Sequence, residues 1–362
     1  MGQDPLSTRL CRALQIDVPI ICFTHCREVA AAAHRAGAFP VLGEALRSME
    51  EIERDVRWLR AQVGDQFGVD LVLPARSPRQ GSIEELAAEI PEPQREFANR
   101  IERKFDVPAP LGHVELHQWG GNNQKVARDQ IQILLDERVP LIATGLGAPD
   151  FLFDEASARG IKLVALVGST RQAVRQIERG ADMVVAQGYD AAGHTGGVGT
   201  FSLVPEIVAR AGDIPVIAAG GITTGRHLAA ALCLGAAGVW TGTVWLTSEE
   251  SDVDPIMKKR ILDSAGEDTT RTNTISGKTM RVLRFPWADE WEQPEAPPVL
   301  KSPYQMILTS KYLQGANDAR RADLMTEAVG QGVSFIQEAL PVADIVDDLA
   351  GQARQTLSAL VG

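Results

Sequence analysis

Short runs rich in valine, isoleucine and leucine recur along the chain. Each is closed by a turn signal and followed by a longer segment whose apolar residues return every three or four positions. Eight such runs stand out: VPIICF (18–23), FPVLG (39–43), GVDLVLP (68–74), VPLIAT (139–144), KLVALV (162–167), DMVVAQ (182–187), IPVIAA (214–219) and GVWTGT (238–243). Helical patterns fill the spaces between them, for example over 48–63, 170–179 and 225–234. Apolar runs alternating with helices predict parallel strands covered by helices. Eight β-α units in about 245 residues match a closed (β/α)8 TIM barrel, for which about 250 is typical, with a doubly wound open sheet as the main rival.

Two stretches break the repeat. Between 75 and about 125 the spacing is too long for one helix and holds PEPQ, VPAPLG and HVELHQWGGNN, which marks an insertion after the third strand that is expected to cover the site. From 251 to 301 the chain turns charged and proline-rich (FPWADEWEQPEAPPVLKSP), and helical spacing resumes from Met325 to Leu360. The expected organisation is therefore a barrel over 1–250, a small, mainly helical or irregular C-terminal subdomain over 251–335 and a closing helix over 336–362.

Composition narrows the function classes. The chain of 362 residues carries 36 Lys plus Arg against 47 Asp plus Glu, a formal charge of -11, with 44% hydrophobic and 23% charged residues. That is a globular composition with a large core, and its acidity gives no electrostatic reason to hold nucleic acid or an anionic membrane. No apolar stretch approaches the roughly 18 residues a membrane span needs, and MGQDPLSTRLCRALQ lacks the order of a signal peptide. A cytoplasmic location is expected, with the 4 cysteines reduced. Oligomeric state is left open.

In a barrel the active site forms at the carboxyl ends of the strands, and phosphate is commonly held after strands seven and eight. Strand seven here ends AAGGITTG, with Gly220 and Gly221 ahead of a helix start at Thr223 or Thr224; strand eight ends WTGT, with Gly242 and Thr243. Glycines admit an anion to backbone N–H groups, and a helix N-terminus adds favourable charge. A phosphorylated cofactor or substrate is implied; the alternative is that these glycines only make tight turns. Strand six runs into QGYDAAGHTGGVGT, where Gln187 closes the strand and His194 sits in a flexible glycine-rich loop, suited to exchanging protons near neutral pH. Cys22, His25 and Cys26 follow strand one without a fourth ligand, so they read as active-site wall and no metal is expected. HVELH, with His113 and His117, has its glutamate at the wrong offset for a zincin, and GLGAPD lacks the third glycine of a dinucleotide fingerprint. No serine or cysteine elbow supports acyl transfer.

The run ADMVVAQGYDAAGHTGG, then LVPEIV, then IPVIAAGGITTGRHLAAALCLGAAGVWTGTVWLTSEES, strongly resembles the nitronate monooxygenases, formerly 2-nitropropane dioxygenases, which are FMN-dependent barrels. Weaker similarity extends through GVDLVLP, GLGAPDFLFDEASARGIKLVALVGS, DTTRT, SGKTMRVLR and AVGQGVSFIQ. The resemblance implies that Gln187 and the backbone of Ala192 and Gly193 contact FMN. It implies that Gly220, Gly221 and the segment Trp240, Thr241, Gly242 and Thr243 hold its phosphate, and that His194 is the catalytic histidine beside the flavin ring. Three departures concern the pocket. The usual Gly-Gly-His is Ala192-Gly193-His194; the usual asparagine ending strand three is Asp70, a carboxylate near the flavin; and Ala-Pro-Met after strand one is Phe23-Thr24-His25, with Phe23 and Thr24 against the cofactor and His25 on the substrate side. The activity implied is oxidation of an alkyl nitronate by O2 to a carbonyl compound and nitrite, with His194 positioning the nitronate or removing the α-proton of the neutral nitroalkane. An NAD(P)H-dependent flavin reductase acting on a quinone or an enoyl thioester is the alternative, because such enzymes share the scaffold. For that reductase the insertion offers Arg76, Arg79, Arg95 and Arg100 as a diphosphate clamp.

Overall fold

The structure, a computed structural model, describes residues 4–45, 47–72, 82–112 and 124–361. Eight parallel strands close a barrel: β1 (Ile20–Thr24), β2 (Phe39–Gly43), β3 (Gly68–Val72), β4 (Leu141–Gly145), β5 (Lys162–Val167), β6 (Met183–Gln187), β8 (Val216–Ala219) and β9 (Gly238–Thr241), with β9 returning to pair with β1. A two-residue strand, β7 (Gly193–His194), lies outside the barrel and joins an antiparallel sheet with β10 (Thr269–Thr272) and β11 (Met280–Leu283). The TIM barrel expected from the apolar pattern is thus the observed fold. Three strands begin two residues later than the apolar runs suggest, for one reason. Pro19, Pro140 and Pro215 each follow a hydrophobic residue, and proline has no N–H for the ladder. Their carbonyls still accept, from Val239, Lys162 and Val184 respectively.

Helices alternate with the strands: α1 (Arg9–Leu14), α2 (Arg27–Arg35), α3 (Met49–Val63), α4 (Ile83–Ala88), α5 (Glu92–Lys104), α6 (Gln124–Asp136), α7 (Asp150–Arg159), α8 (Thr170–Glu178), α9 (Thr200–Ala211) and α10 (Gly225–Cys233). Ser48 starts α3 with a capping box shared with Glu51, which satisfies two donors that the first turn leaves open. Strand alternation divides the core. In β3, Val69 and Leu71 face the helix layer while Asp70 turns into the lumen; the lumen is otherwise filled by residues such as Ile21, Val41, Ala143, Val185, Ile217 and Trp240. Leu10 and Leu14 of α1 plug its amino-terminal end.

The remainder comprises α11 (Pro255–Leu262), α12 (Pro286–Trp291), α13 (Tyr304–Asp318) and α14 (Val342–Val361). A separate core holds Trp287, Trp291, Phe285 and Tyr312 together with Phe97 and Ile101 of α5, so part of the insertion packs with the segment that follows the barrel. Gln94 Nε2 donates to the Pro298 carbonyl (3.1 Å) and Lys104 pairs with Glu290 (2.6 Å) across the same boundary. The closing helix, expected over 336–362, runs from Val342 to Val361. Before it, residues 331–335 form a 3-10 turn laid against the barrel mouth. Among the described residues no helix is long and apolar enough to cross a membrane.

α14 seals the barrel wall by packing on α10, and Gly225 sets how close the two helices come. A Cβ there would lie 2.3 Å from the Leu349 carbonyl oxygen and 2.6 Å from the Ala353 nitrogen, both backbone atoms that cannot step aside cheaply. Gly225→Ala should therefore lower unfolding free energy by about 1–3 kcal/mol despite alanine's better helix propensity, read as a lower urea midpoint. An unchanged midpoint would show that α14 adjusts freely.

Candidate active site

Ala219 of β8 and Trp240 of β9 are register partners, so the loops that follow them lie side by side at the barrel mouth. Gly220 and Gly221 have φ of +111° and +71°, which only glycine adopts readily, and a Cβ on Gly220 would meet Thr200 Oγ1 at 2.7 Å. The backbone N–H groups of Gly221, Ile222, Gly242 and Thr243 have no acceptor among the described residues. A Cβ on Gly242 would meet only Phe23 Cδ1, at 3.7 Å, so that side of the loop is open. In the first turn of α10 most donors are satisfied, with Arg226 N left without an acceptor among the described residues. Thr224 is its N-cap and accepts from His227 N, Gly225 N donates to Gln352 Oε1 (3.2 Å), and Thr223 N donates to His227 Nδ1 (3.2 Å). The unfilled donors thus lie mainly in the turn, with Arg226 N adding one at the helix terminus.

His194 is anchored more firmly than a glycine-rich loop suggests. It lies in β7, with His194 opposite Met280 and Gly193 opposite Arg281 of β11. Its Nε2 is 2.9 Å from the Ser276 hydroxyl. That hydroxyl donates to the Lys278 carbonyl (3.2 Å) and accepts from the Lys278 amide (3.3 Å). With the serine proton on the carbonyl, Nε2–H donates to Ser276 and Nδ1 carries the lone pair. Burial, and then the Lys278 charge, lower the His194 pKa to about 4, so the imidazole is neutral at pH 7 and the expected titration near neutrality does not apply. Upstream, Gln187 Nε2 donates to the Ala192 carbonyl (3.4 Å), and Arg271 and Arg281 approach the Tyr189 ring at 4.9 and 4.7 Å.

The opposite wall comes from β1, β2 and β3. Phe23 stacks on Trp240 with centroids 5.5 Å apart, and His25 meets Phe23 edge-on at 5.2 Å. Asp70 is 5% exposed, its Oδ1 has no hydrogen-bond partner, and burial raises its pKa to about 7. Two expected contacts have side chains engaged elsewhere. Thr24 Oγ1 accepts from Cys26 N, and Thr241 Oγ1 donates to the Ile21 carbonyl while accepting from Trp245 Nε1, leaving backbone atoms as their means of touching a ligand. The strap after Glu327 crosses the mouth. Gly330 N donates to Thr243 Oγ1 (3.0 Å), Gln331 N donates to the Asp190 carbonyl (3.0 Å), and a Cβ on Gly330 would lie 3.3 Å from Ala192 N.

Of the weaker motifs, GLGAPD places Gly145 at the end of β4 and Pro149 at the N-cap of α7. Arg95 pairs with Glu92, and Arg100 lies over the Phe97 ring. Arg76, Arg79, His113 and His117 lie outside the described residues.

A family model described as nitronate monooxygenase matches residues 15–352. The chain belongs to the nitronate monooxygenase family. A monooxygenase from Mycobacterium tuberculosis is 36% identical over 99% of both chains, and a nitronate monooxygenase from Staphylococcus saprophyticus is 31% identical over 77% of this chain and 79% of its own. Among solved structures, the nitroalkane oxidase of Streptomyces ansochromogenes superposes with a TM-score of 0.80 at 26% identity, covering 95% of this chain and 98% of that one. FabK from Thermotoga maritima gives 0.74 at 29%, covering 98% of each. The protein is an oxidoreductase of a family whose chemistry is typically flavin-dependent. The observed mouth fits such a group. Unpartnered N–H groups on adjacent loops suit a terminal phosphate, and an orphaned carboxyl oxygen faces the lumen below.

Sequence reasoning did not assign Ser276, Lys278 or the Gly330-Gln331 strap to the site. Their segments, SGKTMRVLR and AVGQGVSFIQ, carried the family signal, but nothing local tied them to a histidine 82 residues away.

Asp70 and His194 load stability with opposite signs. Asp70, raised to about 7, favours the fold below the usual carboxylate range and loses that contribution as pH climbs from about 4 to 7; His194, lowered to about 4, favours it above about 6.5 and loses that as pH falls. Asp70→Asn should thus stabilise the flavin-free protein more at pH 8 than at pH 4, by a difference on the order of 3 kcal/mol in urea unfolding. A pH-independent difference would mean that Asp70 is solvated.

Proposed function

We propose that the protein binds FMN at the barrel mouth and oxidises alkyl nitronates with O2 to a carbonyl compound and nitrite. One observation carries this reading: the unpartnered N–H groups of Gly221, Ile222, Gly242 and Thr243 adjoin a wall on which a neutral His194 is fixed by Ser276. Those donors suit a single terminal phosphate, and no complete adenosine-binding fingerprint accompanies them. Gly220 shapes the turn, and Gln187 with the Ala192-Gly193 backbone, Phe23, Thr24, Asp70, Trp240 and Thr241 would flank the remainder of the cofactor. Bound FMN would supply the electron acceptor and its reoxidation by O2.

The protein's own part is binding and orientation. A nitronate is an anion, and Lys278 places a positive charge near His194. His194, uncharged and held through Nε2, keeps its ring in a fixed direction as part of the wall, while the attraction for the nitronate comes from Lys278. Residues 251–335 act in this reading as a subdomain that presents Ser276, Lys278 and the strap to the barrel. The likeness to FabK keeps a nicotinamide-dependent reductase as the second reading.

Denaturation should release FMN rather than FAD. Gly242→Val tests the cradle better than a change at Gly221, whose φ of +71° would strain any side chain. The added atoms enter open space, so melting of the flavin-free protein should hold while FMN affinity falls at least tenfold; unchanged affinity would show that the loop is only a turn. Under anaerobic conditions a nitronate should bleach the flavin at least tenfold faster than NADH or NADPH at equal concentration, about 1.4 kcal/mol in barrier. Rapid bleaching by a nicotinamide with none by nitronate would overturn this reading in favour of the reductase.

A further inference from the structure

Asp70 is an acid held inside the barrel with nothing to bond to. Val69 and Leu71 pack in the helix layer, so strand alternation turns the Asp70 carboxyl into the lumen. Its register partners are Gly43 of β2 and Ala143 of β4, which bring no polar side chain to it. Oδ1 is sealed from solvent and has no hydrogen-bond partner. Glu44, which follows Gly43, donates its backbone N–H to the Asp70 carbonyl (3.0 Å), while its side chain lies on the helix side under the influence of Asp55, Glu51, Arg47 and Arg54. Burial alone acts on the Asp70 carboxyl, and no charged group stands close enough to oppose it. A buried oxygen without a partner is costly unless a bound molecule supplies one.

A continuous floor joins this carboxyl to the unfilled N–H groups. A Cβ on Gly242 would lie 3.7 Å from Phe23 Cδ1, and one on Gly43 would lie 3.0 Å from Phe23 Cε2, so the Phe23 ring spans the gap between the two glycines. Asp70 stands opposite Gly43 on the next strand, and neighbouring strands lie about 4.8 Å apart. The His25 ring takes the side-chain space of Gly43, with Cε1 2.5 Å from that same Cβ position, and His25 is exposed, so this end of the floor opens at the mouth. His25 is thus the titratable group that borders Asp70 across Gly43. A cofactor anchored by phosphate at Gly242 and Thr243 and lying along Phe23 extends toward Asp70.

We propose that Asp70 takes up a proton when the flavin is reduced, so that each electron pair enters the protein with two protons rather than one. This rests on the FMN reading above. Two-electron reduction near neutral pH adds one proton to the flavin itself and leaves it one negative charge richer. In a lumen of low dielectric that charge favours the neutral form of a nearby carboxyl. The electrons come from the nitronate or from any other two-electron donor, the flavin is the group reduced, and the second proton passes from water to an Asp70 oxygen. Reoxidation releases it again. The linkage is reciprocal: a charge that binds the proton more tightly is itself stabilised by the proton, which raises the potential. Asparagine, usual at this position in the family, has no proton to exchange in this way.

The test measures the reduction potential of the FMN-loaded protein from about pH 6 to about pH 9 with dithionite and reference dyes, with no nitronate present. The slope against pH counts protons per electron pair. Proton uptake during anaerobic photoreduction in weak buffer, followed by an indicator dye, gives the same count directly. The unmodified protein should take up two protons per electron pair around neutrality. Asp70→Asn, which keeps the shape of the side chain, should take up one throughout, a slope half as steep, and the smaller Asp70→Ser should do the same. His194→Asn and His25→Gln should keep the count at two. A count of one in the unmodified protein, or of two in Asp70→Asn, overturns the assignment; so does a loss found only in His194→Asn or His25→Gln. If the protein takes up no FMN, this assignment and the cofactor reading fall together. If bound FMN is reduced by dithionite but no nitrite forms from a nitronate, the oxidation proposed above fails and the proton count alone decides Asp70.

Discussion

The candidate site depends on a short antiparallel pairing, Gly193 and His194 of β7 against Arg281 and Met280 of β11. Without it, the chain between Gln187 and Thr200 would be a glycine-rich connection able to place the histidine in many positions. With it, the imidazole is fixed by a sheet whose other strands come from the segment after the barrel. The same pairing accounts for the electrostatics. Bringing β11 over the mouth carries Ser276 and Lys278 to the ring and removes water from it, and those are the causes that keep His194 neutral. The guanidinium groups of Arg271 and Arg281, register partners on β10 and β11, pack against Tyr189 and secure the start of the same loop.

The barrel was legible because parallel strands buried on both faces leave unmistakable apolar runs, and the errors at their starts trace to proline. The phosphate loops were legible because positive-φ turns need glycine. The small sheet was not. TTRT and MRVL contain no apolar run, since Arg271 and Arg281 serve Tyr189, and β7 reads as a flexible loop until its partner is known. The strap misled for a related reason. Val329, Val333 and Ile336 are buried at spacings that imitate a helix, but Gly330 and Gly332 allow close backbone approach to Asp190 and Gly221, and these contacts hold the segment as a turn. Helical periodicity records which residues are buried, not which local structure buries them.

Charge at the mouth runs against charge on the chain. A protein of net charge -11 gathers Lys278, Arg271 and Arg281 around the His194 loop, with no ion pair between any of them and a carboxylate among the described residues. Burial acts on the nearby weak acid and weak base alike, raising Asp70 to about 7 and lowering His194 to about 4, and in both cases it favours the uncharged form. The cationic side chains there share the mouth with Asp190, whose Oδ2 is turned to accept from Thr200 N. Such a field favours a phosphate and an anionic substrate together, and it disfavours a protonated base beside His194.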